Sequence, residues 1–155
     1  MTALSDANWP DLAGRIEGGR HVLPVRVYFE DTDFSGLVYH ASYLRWCERG
    51  RSDLLRLLGI RHADLIAPGD RAEPAAFALR RLEIDYLRPA RIDDVLEVTT
   101  ECDEITGAYL LLVQHVRRQD ALLCKVVVKV VLVRQSGRLM RLPPAVRDAF
   151  ARQAG

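Results

Sequence analysis

One long helical pattern dominates the arrangement of apolar and polar positions along the chain. Between residues 40 and 58, apolar or small side chains recur every three or four positions, which predicts an amphipathic helix with one buried face. That face contains Tyr43, Trp46, Cys47, Gly50, Leu54, Leu57 and Leu58. The opposite face contains Arg45, Arg49, Ser52 and Arg56. Gly59 directly follows the pattern and predicts the C-terminal end of the helix.

The rest of the chain is mostly strand-like. A β-branched and aromatic run over residues 21–29 predicts one strand before the helix. Four further strands, joined by short turns, are predicted after it at residues 76–86, 95–101, 108–117 and 121–134. The last is the clearest, because its apolar side chains alternate with a face that includes Lys125 and Lys129. Residues 60–74 resemble a loop, and residues 144–153 predict a short closing helix.

This order of elements predicts a single α+β domain. The helix and the strands are segregated rather than alternating, which favours an antiparallel sheet over a doubly wound parallel one. We expect residues 21–155 to form the domain and residues 1–20, which lack periodicity, to form a flexible or loosely docked extension. One helix covers only one face of a sheet. The uncovered face or an edge therefore predicts a homo-oligomer.

Composition and charge exclude several classes of protein. The chain of 155 residues fits one core, and 22 basic against 21 acidic residues give a net charge of +1. The chain therefore lacks the strong positive charge that would indicate nucleic-acid binding. Lys125 and Lys129 are the only lysines, so the basic residues are almost all arginine. This bias reflects either the composition of the genome or the recognition of carboxylates or phosphates. Cys47, Cys102 and Cys124 are too widely spaced to indicate a disulfide framework or a zinc site.

Targeting features are equally sparse. No apolar stretch approaches the roughly 20 residues that a membrane-spanning helix needs. Residues 1–19 lack the basic start and the apolar run of a signal peptide. Together with the few cysteines, these features predict a soluble cytoplasmic protein.

The candidate chemistry lies in a polar loop that leads into the long helix, at residues 30–43. A helix N-terminus offers free backbone N–H groups and a positive dipole end, both of which stabilise a developing oxyanion. A carboxylate just before it is suited to act as a base or a nucleophile. The loop therefore fits acyl transfer or hydrolysis, although Asp-rich loops before helices more often serve as caps and turns.

Two other readings of this loop fail. Asp31 and Asp33 match the first ligands of an EF-hand calcium loop, but its twelfth position is Ser42 instead of Glu, and no helix precedes it. A cysteine hydrolase using Cys47 and His40 also fails, because seven helical positions separate the two by about 10 Å along the axis. Cys47 is therefore predicted to be a core residue.

Several motifs resemble the hotdog-fold acyl-CoA thioesterases of the 4-hydroxybenzoyl-CoA thioesterase type. The similarity is strongest to the subgroup encoded with the bacterial Tol–Pal envelope system, and it covers the chain from residue 22 to about residue 141. It rests on VYFEDTD at residues 27–33, GLVYHASY at 36–43, ER at 48–49, LL at 54–55 and RPARIDD at 88–94. One departure is Leu37, where Ile or Val is usual, and it is expected to affect packing only.

The resemblance implies a hotdog fold, in which a sheet wraps the long helix, and sites at the interface of a homodimer or homotetramer. By motif position it makes Asp33 the catalytic carboxylate, either as the nucleophile or as the base that activates water. The backbone N–H that polarises the thioester carbonyl falls at His40, whose side chain is a further candidate. Tyr39 and Tyr43 are candidates for lining the acyl pocket. No metal and no cofactor are implied.

The phosphates of coenzyme A require basic side chains. Some relatives carry such residues in the hairpin that here reads TGA at residues 106–108. Arg138 and Arg141, after the last long strand, are the substitutes that we consider first, and Arg88 and Arg91 come next.

Two further functions are compatible with the same resemblance. A hotdog hydratase or dehydratase would act on the acyl chain of a thioester and would need a histidine and a carboxylate facing one carbon pair. A non-catalytic module would bind acyl thioesters or acyl carrier protein without releasing a thiol. The subgroup suggests acyl carrier protein as a partner, but no feature of this sequence identifies it.

Overall fold

The computed structural model describes residues 14–61, 65 and 74–154. Its nine main elements are, in chain order, β1 (Arg15–Glu17), β2 (Arg20–Arg26), α1 (His40–Leu57), β3 (Ala75–Tyr86), β4 (Val95–Ile105), β5 (Leu110–Arg118), β6 (Ala121–Arg134), β7 (Leu139–Met140) and α2 (Pro144–Ala154). The predicted α+β class is confirmed. No helix of the described part is long and apolar enough to cross a membrane.

All strands join one antiparallel sheet in the order β1-β2-β4-β5-β6-β3, with β7 paired to β6. Every second side chain of β5 is buried, and the same alternation runs through most of β6, where Leu123 and Val131 are buried in addition. This is the pattern of a strand with one core face. The core-facing side chains of β6 are Cys124, Val126, Val128, Val130 and Leu132. β3 forms an edge of the sheet, because β6 is its only strand neighbour among the described residues.

Helix α1 lies on the core face of the sheet, as its apolar stripe predicts. Tyr43, Trp46 and Leu54 are buried, whereas Leu57 at the end of the stripe is exposed. Gly50 allows close packing, since a Cβ there would lie 3.2 Å from the Thr100 hydroxyl oxygen. Gly59, at a φ of +71°, follows the helix as predicted.

A buried amide ties the middle of α1 to the sheet. The Gln114 side-chain amide donates to the Cys47 carbonyl oxygen at 2.8 Å and to the Thr100 hydroxyl at 2.9 Å. Its own oxygen accepts a hydrogen bond of 2.8 Å from Arg51. A buried polar group with all these partners is stabilising, whereas an unpaired one would be costly. The network therefore fixes how α1 lies against β4 and β5.

The start of the fold differs from the prediction. Residues 15–17 form β1, which pairs with β2 at Arg20–Arg26, so this part of the predicted extension belongs to the sheet. Positive φ values at Gly18 and Gly19 form the turn between the two strands, and a three-residue strand is too short for periodicity to reveal. Residues 1–13 and most of the predicted loop at 60–74 lie outside the described residues.

The sheet has two distinct ends. At one end lie the start of α1, the end of β3 and the start of β4; at the other lie the β4–β5 turn and β7. The eleven residues of β4 connect these ends, a length of about 33 Å at 3.3 Å per residue. Within one chain, groups at opposite ends of the sheet are therefore too far apart to act on the same bond.

Candidate active site

Asp33 lies in a tight loop that closes on itself. Thr32 pairs with Val38 in an isolated antiparallel bridge, and the Asp33 N–H donates to the Leu37 carbonyl at 2.9 Å. The Gly36 N–H donates back to the Asp33 carbonyl at 3.0 Å. Gly36 has a φ of +83°, a conformation that glycine adopts without the steric cost of a side chain. The loop therefore presents the Asp33 side chain to solvent from a fixed backbone.

Two hydrogen bonds from Ser35 favour the ionised form of Asp33. The Ser35 hydroxyl and backbone N–H both donate to Asp33 Oδ1, the latter at 2.8 Å. These two hydrogen bonds lower the pKa of the Asp33 carboxyl below its ordinary value, and the nearby His40 ring acts in the same direction. An exposed carboxylate with a lowered pKa is ionised at neutral pH. It is therefore in the form that a nucleophile or a general base requires.

Replacing Ser35 by alanine removes the hydroxyl hydrogen bond, and we expect the pKa of Asp33 to rise. Activity that needs ionised Asp33 is lost as the pH falls through this pKa. The acidic limb of the kcat/KM profile should therefore move to higher pH, with the neutral plateau less affected. Thioester hydrolysis measured across the acidic range checks this shift. An acidic limb at the wild-type position would show that Ser35 does not control the ionisation of the group that limits the rate.

The first turn of α1 stands beside this loop with unused donors. The Tyr39 N–H donates to the Asp31 carbonyl at 2.8 Å, and the Ser42 hydroxyl donates to the same carbonyl at 3.2 Å. These bonds join the loop to the helix start. The backbone N–H of His40 has no acceptor within the described residues. It therefore belongs to the free donors at the positive end of the helix dipole, the arrangement that suits an oxyanion.

The turn at residues 89–94 fixes the loop from the sheet side. The Val38 N–H donates to the Ala90 carbonyl at 2.9 Å, and Leu37 forms an isolated bridge with Arg91. Asp94 stabilises this turn: it accepts hydrogen bonds from the Arg91 N–H at 2.9 Å and the Arg118 guanidinium at 2.7 Å. Burial acts to raise the pKa of Asp94, but these donors outweigh it and lower the pKa. Asp94 is thus an ionised structural group.

A shallow groove of about 360 Å³ opens next to the helix start. It is lined by Leu37, Val38, His40, Tyr43, Tyr86, Leu87, Arg88 and Pro89. Tyr43 is only 3% exposed, and its hydroxyl accepts a hydrogen bond of 3.0 Å from the Ala90 N–H, so it is mainly a packing residue. The ring of Tyr39 is 44% exposed and lies 4.3 Å from the His40 ring, where it is open to a ligand.

A second cavity, of about 300 Å³, lies between the later part of α1 and the sheet. Most of its lining is apolar: Leu54, Leu55, Phe77, Ala78, Leu79, Leu110, Leu112, Val130 and Phe150. Glu48, Arg51 and Ser52 add polar groups. The α1 residues that line this cavity run from Glu48 to Leu55, and they follow His40 by 8 to 15 positions, which is about 12–22 Å along the helix axis. Within one chain the cavity is therefore remote from Asp33.

Comparisons with known proteins decide the family. The model of the Thioesterase-like superfamily matches residues 27–150. The chain belongs to this superfamily. Acyl-CoA thioesterase YbgC of Haemophilus influenzae is 41% identical over 129 residues, which are 82% of this chain and 91% of that protein. Acyl-CoA thioester hydrolase YbgC of Escherichia coli O157:H7 is 42% identical over 111 residues, 71% of this chain and 79% of that protein.

Solved structures of the superfamily confirm the hotdog fold. A probable thioesterase from Bartonella henselae matches with a TM-score of 0.72 at 40% identity, covering 80% of this chain and 99% of that chain. A 1,4-dihydroxy-2-naphthoyl-CoA thioesterase from Synechocystis matches with a TM-score of 0.73 at 21% identity, covering 85% of this chain and 96% of that chain. At 21% identity, the Synechocystis structure shows a similarity of fold alone. Both agree with one sheet around one long helix.

The four arginines considered for contact with coenzyme A lie at two opposite ends of the sheet. Arg88 lines the groove beside His40, and Arg91 forms a bridge with Leu37 of the Asp33 loop. Arg138 and Arg141 flank β7 at the opposite end, where a Cβ on Gly107 would collide with the Arg141 guanidinium. The structure therefore does not bring Arg138 or Arg141 to Asp33 of the same chain. Their contact with the phosphates of coenzyme A stays a prediction.

Cysteine and metal chemistry find no support at this site. Burial raises the pKa of the Cys47 thiol to about 12, so it is neither ionised nor accessible. No group of three or more His, Cys, Asp or Glu side chains able to hold a metal occurs in the part of the chain that the structure describes.

The sequence did not predict the apolar cavity, nor the hydrogen bond that the Tyr86 hydroxyl donates to the His40 carbonyl oxygen. The cavity combines residues from five elements, so no local pattern predicts it.

Proposed function

We propose that this protein hydrolyses acyl-CoA thioesters to a free acid and coenzyme A. The observation that carries the proposal is Asp33, an exposed carboxylate in a loop that is hydrogen-bonded to the start of α1, where the His40 N–H has no acceptor among the described residues. Relatives named acyl-CoA thioesterase or acyl-CoA thioester hydrolase share about two fifths of its aligned residues. The local geometry and the family therefore favour the same chemistry.

The reaction follows from these two groups. Asp33 either attacks the thioester carbonyl carbon itself or removes a proton from a water molecule that attacks. The carbonyl oxygen becomes an oxyanion and accepts a hydrogen bond from the His40 N–H. Collapse of this intermediate breaks the C–S bond and releases the thiolate of coenzyme A. If Asp33 attacked, one water molecule then hydrolyses the resulting mixed anhydride, which releases the free acid and restores the Asp33 carboxylate.

A homodimer completes the site. Over the described residues, the outer edge of β3 has no strand partner, and an open edge of twelve residues is suited to pair with another copy. Phe77 and Leu79 near the start of β3 line the apolar cavity, while Tyr86 at its end lines the groove. Antiparallel pairing of two β3 strands brings the start of one toward the end of the other. The cavity of one copy would then receive the acyl group whose thioester lies at Asp33 of its partner.

Exposed aromatic groups beside Asp33 agree with such an assembly. Phe29 is 81% exposed and Phe34 is fully exposed in the isolated chain. Large apolar side chains left open around a polar site are typical of surfaces that another molecule covers. A homotetramer would require a further contact between two such dimers.

The cellular compartment and a partner protein are proposed from other observations. All three cysteines are free, which fits the reducing conditions of the cytoplasm. Acyl carrier protein stays a predicted partner that rests on the family resemblance alone. Co-elution of the purified proteins in size-exclusion chromatography tests that partner.

Product analysis distinguishes the proposed hydrolysis from the alternatives. We expect saturated acyl-CoAs to yield free thiol and free acid, and enoyl-CoAs to keep their double bond apart from the same cleavage. Hydration of the double bond without thiol release would instead indicate a hydratase. Saturable acyl-CoA binding with thiol release at the background rate would indicate a binding module.

A further inference from the structure

Tyr86 links the end of β3 to the first residue of α1. Its hydroxyl donates a hydrogen bond of 2.8 Å to the His40 carbonyl oxygen. Its ring packs edge-on against Tyr43, with 5.6 Å between centroids, and lies 6.5 Å from the His40 ring. No hydrogen bond joins Tyr86 to Asp33 in the described part. Tyr86 therefore acts on the helix start alone.

Beyond the bonds that join the loop to the helix start, each of the two groups of the proposed mechanism has a support of its own. Asp33 is fixed by Ser35 within the loop and by the turn at residues 89–94, which leads into β4. The first turn of α1 is fixed from the other side of the site by Tyr86, at the end of β3. The separation between the carboxylate and the His40 N–H therefore depends on both supports. Catalytic geometry is sensitive to displacements of about 1 Å.

The same hydrogen bond also polarises the helix start. The His40 carbonyl belongs to the peptide group whose N–H is that of Ala41, the next free position of the first turn. A hydroxyl that donates to a peptide oxygen strengthens the N–H of that peptide as a donor, because linked hydrogen bonds are cooperative. Tyr86 thus orients the first peptide groups of α1 and increases the positive potential there.

We propose that Tyr86 is a positioning residue for thioester hydrolysis, acting through the His40 carbonyl to align the helix N-terminus with the oxyanion. This role rests on the proposed function, since it concerns the same transition state. The Tyr86 hydroxyl already donates its hydrogen to a backbone oxygen, so it is not assigned as a proton donor to the substrate. Its effect should appear in the chemical step rather than in substrate binding.

The test compares Tyr86→Phe with wild type and with Tyr109→Phe. Tyr109 offers a matched control, because its hydroxyl also donates one hydrogen bond, to Glu104 at 3.1 Å, at the opposite end of the sheet. We expect Tyr86→Phe to lower kcat about tenfold with KM within about twofold of wild type, because only transition-state alignment is lost. Tyr109→Phe should keep both constants. Thermal unfolding of both variants should stay close to wild type.

Each outcome decides between the claims. Wild-type hydrolysis with a normal kcat in Tyr86→Phe would overturn the positioning role and leave the proposed function standing. A rise in KM alone would also overturn it, since the residue would then serve binding. A wild-type enzyme that releases no thiol from acyl-CoA would overturn the proposed function and the role of Tyr86 together.

Discussion

Replacement of Asp33 by asparagine should lower kcat/KM for acyl-CoA hydrolysis by about a thousandfold or more. The amide has the shape of the carboxylate but is neither a nucleophile nor a base. The asparagine oxygen can still accept the Ser35 N–H that now donates to Oδ1. We therefore expect the loop and the fold to be retained, and the loss to fall on the chemical step.

Two controls make this result specific. Asp148→Asn changes an exposed carboxylate on α2 and should hydrolyse acyl-CoA at the wild-type rate. The thermal unfolding midpoint of Asp33→Asn should equal that of wild type within a few degrees. Wild-type turnover in Asp33→Asn would remove this residue from the mechanism.

Two inactive variants should restore activity when they share a dimer. Asp33→Asn lacks the carboxylate but keeps the apolar cavity. Ala78→Trp keeps Asp33 but fills the cavity, which Ala78 lines on β3. If each site combines Asp33 of one copy with the cavity of the other, a mixed dimer contains one complete site. A wild-type dimer has two complete sites, so the isolated mixed dimer should have about half of the wild-type activity.

Co-expression with two affinity tags provides the mixed dimer, and thiol release measures its activity. A control pair combines Asp33→Asn with a chain that carries both substitutions, and it should stay inactive. Light scattering should give each preparation at least twice the 17.5 kDa mass of one chain. Background activity in the mixed dimer would show that Asp33 and the cavity of the same chain work together. Wild-type activity of Ala78→Trp alone would show that the cavity has no part in hydrolysis.

Elements with their own periodicity were predictable from sequence. The range of β6 is as predicted, and α1 and α2 differ from the predicted ranges by one residue at their C-terminal ends. These segments were predictable because their apolar residues repeat along one face. β4 extends to Ile105, four residues beyond the prediction. Its end carries Asp103 and Glu104 on a register shift, so polar residues there hid the continuing strand. β7 is two residues long, and its pairing with β6 comes from the chain reversal at Gly137.

The candidate site was predictable only where it is local in sequence. Asp33 and His40 are seven residues apart in one loop and helix start, so a motif brings them together. Arg141 lies at the other end of the sheet, because the direction of β6 takes the chain away from the site. The cavity and the Tyr86–His40 hydrogen bond depend on how β3 packs beside α1, and sequence spacing does not determine such packing.

Titration of released coenzyme A thiol by purified wild type and Asp33→Asn is the most direct test of the central claim. With a saturated acyl-CoA as substrate, the proposed mechanism predicts one thiol and one free acid per molecule consumed by wild type, and only the background rate for the variant. Equal thiol release by both proteins, or none above background by wild type, would contradict hydrolysis at Asp33.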